Sequence, residues 1–217
     1  MNKAAFFDMD GTLVSVHTGR LYLRWRFARR EMSLKDLMRA SWWLMGYTFG
    51  LIDITAVTTH VMQTLRGQDE AEFRSQCREW FENNVRSYIS AAARDAVLDY
   101  QSQDYVCAIL SGSTPYVVDP LAKELHIKHV LCTRPTVVEG RFTGDYHSPV
   151  CYGDGKLAIA EAWAQDQGVD LSQSLFFSDS ISDVPMLERV GQPRVVNPDP
   201  RLHLLAKRRQ WPIERWK

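Results

Sequence analysis

The chain has no charge excess, few cysteines and no long apolar run, and each shortage removes a class of function. Lys and Arg number 26, as do Asp and Glu, so the formal net charge over 217 residues is zero. Without a field of one sign over the whole molecule, nucleic acid is not an expected partner. The four cysteines, Cys77, Cys107, Cys132 and Cys151, include no closely spaced pair. Cys107 and Cys132 lie inside apolar runs, as small core residues do, and the set implies reduced thiols and a cytoplasmic location. The amino terminus lacks a basic region followed by a long apolar stretch and a small-residue cleavage site, so no secretory leader is expected. The stretch 41–52 is apolar and aromatic but too short to span a bilayer, so no transmembrane segment is expected. Repeats and long low-complexity linkers are also missing. What remains, 45% hydrophobic and 24% charged residues, reads as a soluble globular chain. Its length suits one sizeable domain, or a core with a smaller insertion.

The organising stretch is the first fourteen residues. Ala4 to Phe7 form an apolar run long enough for one buried strand and too short for a helix. It ends in Asp8, Asp10, Gly11 and Thr12, the composition of a sharp strand-to-loop turn. Residues 8 and 10 alternate, so both carboxylates point to one side if the strand persists through them. Two such carboxylates repel unless a proton or cation sits between them, and hard oxygen ligands of this kind suit Mg2+. A second apolar run, Ser174 to Ser178, also ends in acid, with Asp179 followed by Asp183. Two strands that each deliver carboxylates at their carboxyl ends fit the ligand crevice of an open α/β sheet.

Between these two strands the pattern is mixed. Residues 20–30, 34–46, 53–65 and 69–88 read as helices, and strand runs are missing until residue 105. A helix over 92–101 precedes a buried strand at 105–110, which ends in Ser111, Gly112 and Ser113. A hydroxyl and exposed backbone N–H groups at a strand-to-helix junction can hold a phosphate oxygen, although Ser-Gly-Ser also makes an ordinary loop. Another strand follows at 129–133, then a hairpin at 136–143 with its turn near Glu139 and Gly140. Lys156 falls in the first turn of a helix over 156–164, a poor place for a cation unless an anion compensates, and from context alone it reads as a surface residue. A last core strand, 194–197, leads into a tail whose Trp211 and Trp216 suggest a packed element.

In order along the chain, Phe6 to Thr12, Leu110 to Ser113, Lys156 and Phe177 to Asp183 resemble the four motifs of the haloacid dehalogenase-like (HAD) phosphohydrolases, in their phosphoserine-phosphatase-like branch, subfamily IB. The resemblance implies an α/β fold: a Rossmann-like three-layer HAD core with an inserted helical cap of the C1 type. Residues 1–14 would be the first strand and catalytic loop, 15–88 the cap and 89–217 the remainder of the core. It further implies a Mg2+-dependent phosphomonoester hydrolase working through an aspartyl-phosphate on a small organic phosphate. In that scheme Asp8 is the nucleophile and Asp10 the general acid and base. Mg2+ is held by the Asp8 carboxylate, the Asp10 backbone carbonyl and Asp179, with Asp183 orienting the site or its waters. Ser111, Gly112 and Lys156 steady the phosphate oxygens. A phosphotransferase of the same fold and a non-catalytic phosphate-binding module are the alternative readings. Monomer and homodimer both stay open.

The expected cap carries the departures from the branch. Phosphoserine phosphatases resembling this chain have a glutamate nine residues after the nucleophile; here that position is His17. Their cap arginine has no secure counterpart, with Arg66 the nearest in the pattern. Histidine at best is neutral, so it does not replace a carboxylate opposite an ammonium group. Trp25, Trp42, Trp43 and Tyr47 are either core residues or walls of a site for a larger organic group. Residues 20–39 hold seven Arg or Lys against two acids, a solvated basic face or an entrance for an anion, which leaves weak contact with a membrane surface open. Phosphoserine is therefore expected to be a poor substrate beside histidinol phosphate, a lysophosphatidate-like lipid or another bulkier monoester.

Overall fold

Burial on both faces of one short strand fixes the architecture. The computed structural model describes residues 2–35, 38 and 54–216, and most of the expected helix at 34–46, with Trp42, Trp43 and Tyr47, lies outside them. Strand β1 (Ala4–Phe7) is fully buried, and its side chains alternate between two cores. Ala5 and Phe7 enter one cluster, while Ala4 and Phe6 enter the other. A strand covered on both sides reads as a continuous apolar run, as this one does.

On either side of β1 lie β2 (Val106–Ser111) and β6 (Leu175–Ser178), both parallel to it. β3 (His129–Cys132), β7 (Gln192–Val196) and β8 (Ile213–Glu214) complete a six-stranded parallel sheet in the order β3-β2-β1-β6-β7-β8. The chain leaves β1 toward β2 and returns on its other flank at β6, which makes the carboxyl end of β1 a topological switch point. One face of the sheet is covered by α4 (Ala91–Ser102) and α5 (Pro115–Glu124), through Ala93, Val97, Val118 and Leu121. The other is covered by α6 (Asp154–Asp166), α7 (Val184–Arg189) and α8 (Pro200–Arg209), through Ala160, Met186, Leu187 and Leu202. This is the expected three-layer α/β arrangement.

Among its described residues the inserted segment contributes α1 (Thr18–Ala28), α2 (Ile54–Leu65) and α3 (Glu70–Asn84), with a 3-10 turn at Arg86–Tyr88. The expected helix at 69–88 ends early: Val85 N–H still bonds the Phe81 carbonyl at 2.9 Å, but the next bond closes a tighter turn, Tyr88 N–H donating to the Val85 carbonyl at 2.8 Å. At its start Asp69 accepts a hydrogen bond from the Glu72 N–H at 3.0 Å, the N-cap that an acidic residue supplies. Where the segment leaves and rejoins the core, two backbone bonds tie its ends: Ser15 N–H to the Tyr88 carbonyl at 2.9 Å and Ser90 N–H to the Leu13 carbonyl at 3.1 Å.

The expected hairpin forms as β4 (Pro135–Val138) and β5 (Arg141–Tyr146), with Glu139 and Gly140 both at positive φ in its turn. It does not pair with the main sheet. Phe142 instead joins Met62, Leu65, Cys77 and Tyr116 in a third apolar cluster, and Gly67 N–H donates to the Phe142 carbonyl at 2.8 Å. The hairpin is thus packed onto α2 and α3. In the tail, Trp211 and Trp216 pack as expected, with Trp216 stacked obliquely on Phe177 at 5.1 Å. The two-residue strand β8 was not legible. Among the described residues no helix is long and apolar enough to cross a membrane.

Candidate active site

Strand register brings the expected residues to one edge. Phe7 is opposite Ile109 of β2 and Phe177 of β6, so Asp8, Ser111 and Asp179 all emerge at the carboxyl end of three adjacent strands. Asp8 N–H still donates to the Phe177 carbonyl at 2.9 Å, which holds the strand straight up to its carboxylate. The chain then turns at Gly11, at φ +75, directly beneath Asp179: a Cβ there would collide with the Asp179 carboxylate. Only glycine allows that backbone to approach so closely.

Lys156 is not a surface residue. It is 3% exposed, and its ammonium donates at 2.7 Å both to Oδ1 of Asp8 and to Oδ2 of Asp183. Asp183 Oδ2 also accepts from the Ser178 hydroxyl at 2.6 Å, while its Oδ1 is buried without a partner among the described residues. Burial pulls the Lys156 ammonium toward neutrality, but the Asp183 and Asp8 carboxylates outweigh it and keep the group charged. Sequence context misread this position because the compensating carboxylates are 148 and 27 residues away.

The carboxylates outnumber that one cation. Burial pushes Asp8 up to about 7 against the pull of Lys156, with Asp183 adding to the rise. Burial also pushes Asp179 up to about 9, with Asp8 and Asp183 repelling its charge. Asp10 is likewise raised by burial, and the hydrogen bonds from Thr18 oppose that. Such crowding of hard oxygen donors around a cradle that a Cβ would fill fits a divalent cation. Among the described residues no three His, Cys, Asp or Glu side chains enclose a metal by themselves. A set of two carboxylates and one backbone carbonyl is compatible with that, because Mg2+ usually keeps several waters.

Ser111 is buried, and its hydroxyl oxygen accepts from the Ser113 N–H at 3.2 Å. Gly112 faces the Cys151 carbonyl, which would lie 3.3 Å from an added Cβ. Thr133 braces the loop, donating its N–H to the Ser113 carbonyl at 3.1 Å and accepting from Cys151 N–H at 3.1 Å.

The specificity positions separate. His17 is exposed, one residue before α1, and close enough to Asp10 for its charge to oppose the rise there. Arg66 is exposed beside Gly144 of the hairpin, and no described contact joins it to Asp8, Asp10 or Lys156. Trp25 packs with Tyr22 and Trp80 in the core cluster, which makes it a structural residue. Trp43 lies outside the described residues. Sequence reasoning missed Thr18, which binds both oxygens of Asp10, and Asn197, whose amide donates to the Gly11 carbonyl at 3.0 Å. Neither has a local signal, since each acts across a turn or from a distant strand.

A buried lysine thus bridges two carboxylates at the switch point of a parallel sheet, where open α/β folds bind their ligands. The chain belongs to the haloacid dehalogenase-like hydrolase family, whose profile matches residues 5–188. It is 30% identical over 213 residues to a probable phosphatase of Mycobacterium tuberculosis, covering 97% of this chain and 74% of that one. It is 25% identical over 222 residues to a histidinol-phosphatase of Neisseria meningitidis, covering all of both chains. Among solved structures, a protein of unknown function from Bordetella pertussis matches with a TM-score of 0.89 at 25% identity, covering 99% of this chain and 98% of that one. A phosphoserine phosphatase captured as a phospho-aspartyl intermediate analogue matches with a TM-score of 0.72 at 18% identity, covering 100% and 94%. The fold is therefore that of phosphoserine-phosphatase-like HAD enzymes, and the chain is a hydrolase of the HAD-like family.

Proposed function

We propose that this protein is a Mg2+-dependent phosphatase that forms an aspartyl-phosphate on Asp8 and acts on a small organic monoester other than phosphoserine. The observation that carries the reading is the Lys156 ammonium held at 2.7 Å on Asp8 Oδ1. One oxygen of Asp8 is thereby fixed, and the other is left to attack phosphorus. The bond from phosphorus to the leaving oxygen breaks, and the proton of Asp10 passes to that oxygen, releasing the alcohol. Water then attacks the same phosphorus, Asp10 takes its proton, and the Asp8–phosphorus bond breaks to give inorganic phosphate. Ser111, the Gly112 N–H and Lys156 hold the equatorial oxygens, since positioning and charge compensation dominate phosphoryl transfer. Mg2+, held by the Asp8 carboxylate, the Asp10 carbonyl and Asp179, would neutralise charge on the phosphoryl oxygens, with Asp183 in support. Residues 15–88 serve as a cap over the core formed by 1–14 and 89–217, excluding water from the reacting groups.

The substrate reading rests on His17. An exposed imidazole next to Thr18, which is bonded to Asp10, offers no carboxylate to a substrate ammonium group. The test is kcat/KM for phosphoserine, histidinol phosphate, a lysophosphatidate and simple sugar phosphates, measured in parallel. Phosphoserine leading by about tenfold, roughly 1.4 kcal/mol of extra transition-state binding, would overturn it. The nucleophile is tested by Asp8→Asn, which is expected to fold and to form no phosphoenzyme; an unimpaired burst would place the nucleophile elsewhere.

A further inference from the structure

We propose that Thr18 is a positioning residue that aims the general acid, and that it does so by making Asp10 the cap of helix α1. The inference rests on the role just given to Asp10. The Thr18 hydroxyl donates to Asp10 Oδ1 at 2.8 Å and lies 3.1 Å from Oδ2, and the Thr18 N–H donates to Oδ2 at 3.1 Å. Thr18 is 3% exposed although its neighbours His17 and Gly19 are exposed, so this one residue of the turn is drawn inward.

The helix explains why. The first N–H groups of an α-helix have no partner within it, and a side chain just before the helix ordinarily supplies one. In α1 that position is His17, whose side chain makes no such bond. The carboxylate of Asp10, eight residues before Thr18 and on the core loop, takes its place. The loop folds back to allow this, with the Gly11 N–H donating to the Val16 carbonyl at 3.4 Å. An N-terminal helix end favours a nearby carboxylate, so the helix and Asp10 hold each other.

The consequence is a fixed side-chain geometry. With both oxygens engaged by one residue, Asp10 has a single rotamer, and the direction in which it presents a proton is set before substrate arrives. A general acid must lie within hydrogen-bond reach of the leaving oxygen, and misplacement costs rate without costing binding. Thr18 touches neither substrate nor phosphorus in this scheme; it acts through Asp10.

A role in positioning the acid predicts a leaving-group dependence that a purely structural role does not. Rapid-quench measurement of phosphoenzyme formation on the Mg2+-loaded protein would compare p-nitrophenyl phosphate, whose leaving group needs little protonation, with an unactivated alkyl phosphate. For Thr18→Val the alkyl reaction is expected to slow by about 100-fold and the aryl reaction by less than about 10-fold. KM is expected to stay within about threefold for both substrates. Thr18→Ser keeps the hydroxyl and the N–H and is expected to restore both rates; Thr18→Ala serves in place of the valine variant should that not fold. Equal losses with the two leaving groups, or no rescue by serine, would overturn the proposal. Asp10→Asn run beside it separates the two readings. A leaving-group-dependent loss in Asp10→Asn but not in Thr18→Val removes Thr18 from the mechanism, and its absence in Asp10→Asn removes Asp10 as the acid and the proposal with it.

Discussion

The site is built from charges that the fold does not fully compensate, and Asp8→Asn measures by how much. Asp8 is 7% exposed, and burial, partly offset by Lys156, raises its carboxyl from 3.8 to about 7. At about 1.4 kcal/mol per tenfold, that rise amounts to roughly 4 kcal/mol against the charged form in the metal-free protein. The sign follows from proton binding. The folded state holds the proton more tightly than the unfolded chain, so the penalty is absent below about pH 4, grows as pH rises, and is complete above about pH 7. Asparagine removes the charge and keeps an oxygen for Lys156, but its amide N–H groups lack assured acceptors, which takes back about 1–3 kcal/mol. The net expectation at pH 8 in chelator is a gain of about 1–3 kcal/mol, or a Tm higher by roughly 3–9 °C for a chain of this size. Thermal unfolding followed by circular dichroism at pH 8 and pH 5 is the assay. The gain should be smaller at pH 5, and smaller again at pH 8 with saturating Mg2+. A variant no more stable than the parent at pH 8, or a gain independent of pH, would refute the view of Asp8 as an under-compensated charge.

Other consequences can be checked on the same protein. Chelation should abolish phosphate release and Mg2+ restore it, with Ca2+ a poor substitute because Mg2+ enforces tighter octahedral geometry; full turnover in demetallated protein would remove Asp179 as a ligand. The Tm gain from Mg2+ should be larger at pH 8 than at pH 5, since Asp8 and Asp179, pushed up to about 7 and about 9 by burial, hold protons that the metal must displace at the lower pH. Burial pushes the Cys77, Cys107 and Cys132 thiols up to about 12 and raises Cys151 as well, so none should react with a thiol reagent at pH 8 until the protein is denatured. Trp216, 5% exposed against Phe177, should cost about 3–5 kcal/mol when replaced by alanine; a calorimetric loss below about 1 kcal/mol would show that the tail is not part of the core.

What the sequence displayed was local, and what it hid was long-range. β1 and β6 were legible because a strand buried on both faces must be a continuous apolar run, and their terminal acids because nothing apolar could take those places. Ser90 and Asp69 cap helix starts with their own side chains, and α4 and α3 begin within a residue of expectation, whereas α8, capped by Asp199, falls in a tail that the sequence showed only as a packed element. Lys156 could be placed only by the family resemblance, because the two carboxylates that make its burial tolerable come from the end of β1 and from the turn before α7. The hairpin was recognisable from Glu139-Gly140, but its partner was not: an alternating run says that one face is buried, never against what. β8 is two residues long and follows the left-handed Gln210, too short for any period to show.

Those distant contacts converge on the turn that carries Asp10. From the last strand pair, Asn197 reaches the Gly11 carbonyl with its amide, and its Oδ1 accepts the Trp216 N–H at 3.0 Å. The Trp216 carbonyl in turn accepts from the Ser90 hydroxyl at 2.8 Å, at the point where the inserted segment rejoins the core. From the opposite side, Thr18 at the start of that segment grips the Asp10 carboxylate. The turn is thus held on its carbonyl side by the tail and on its carboxylate side by the insertion. A small displacement of either neighbour must move Asp10, because a buried hydrogen-bonded group cannot exchange its partners for water without cost. Asp10 is therefore placed by elements that lie outside the four motifs. Substitutions at Asn197 or Ser90 are expected to lower kcat more than KM, although neither residue touches the phosphate.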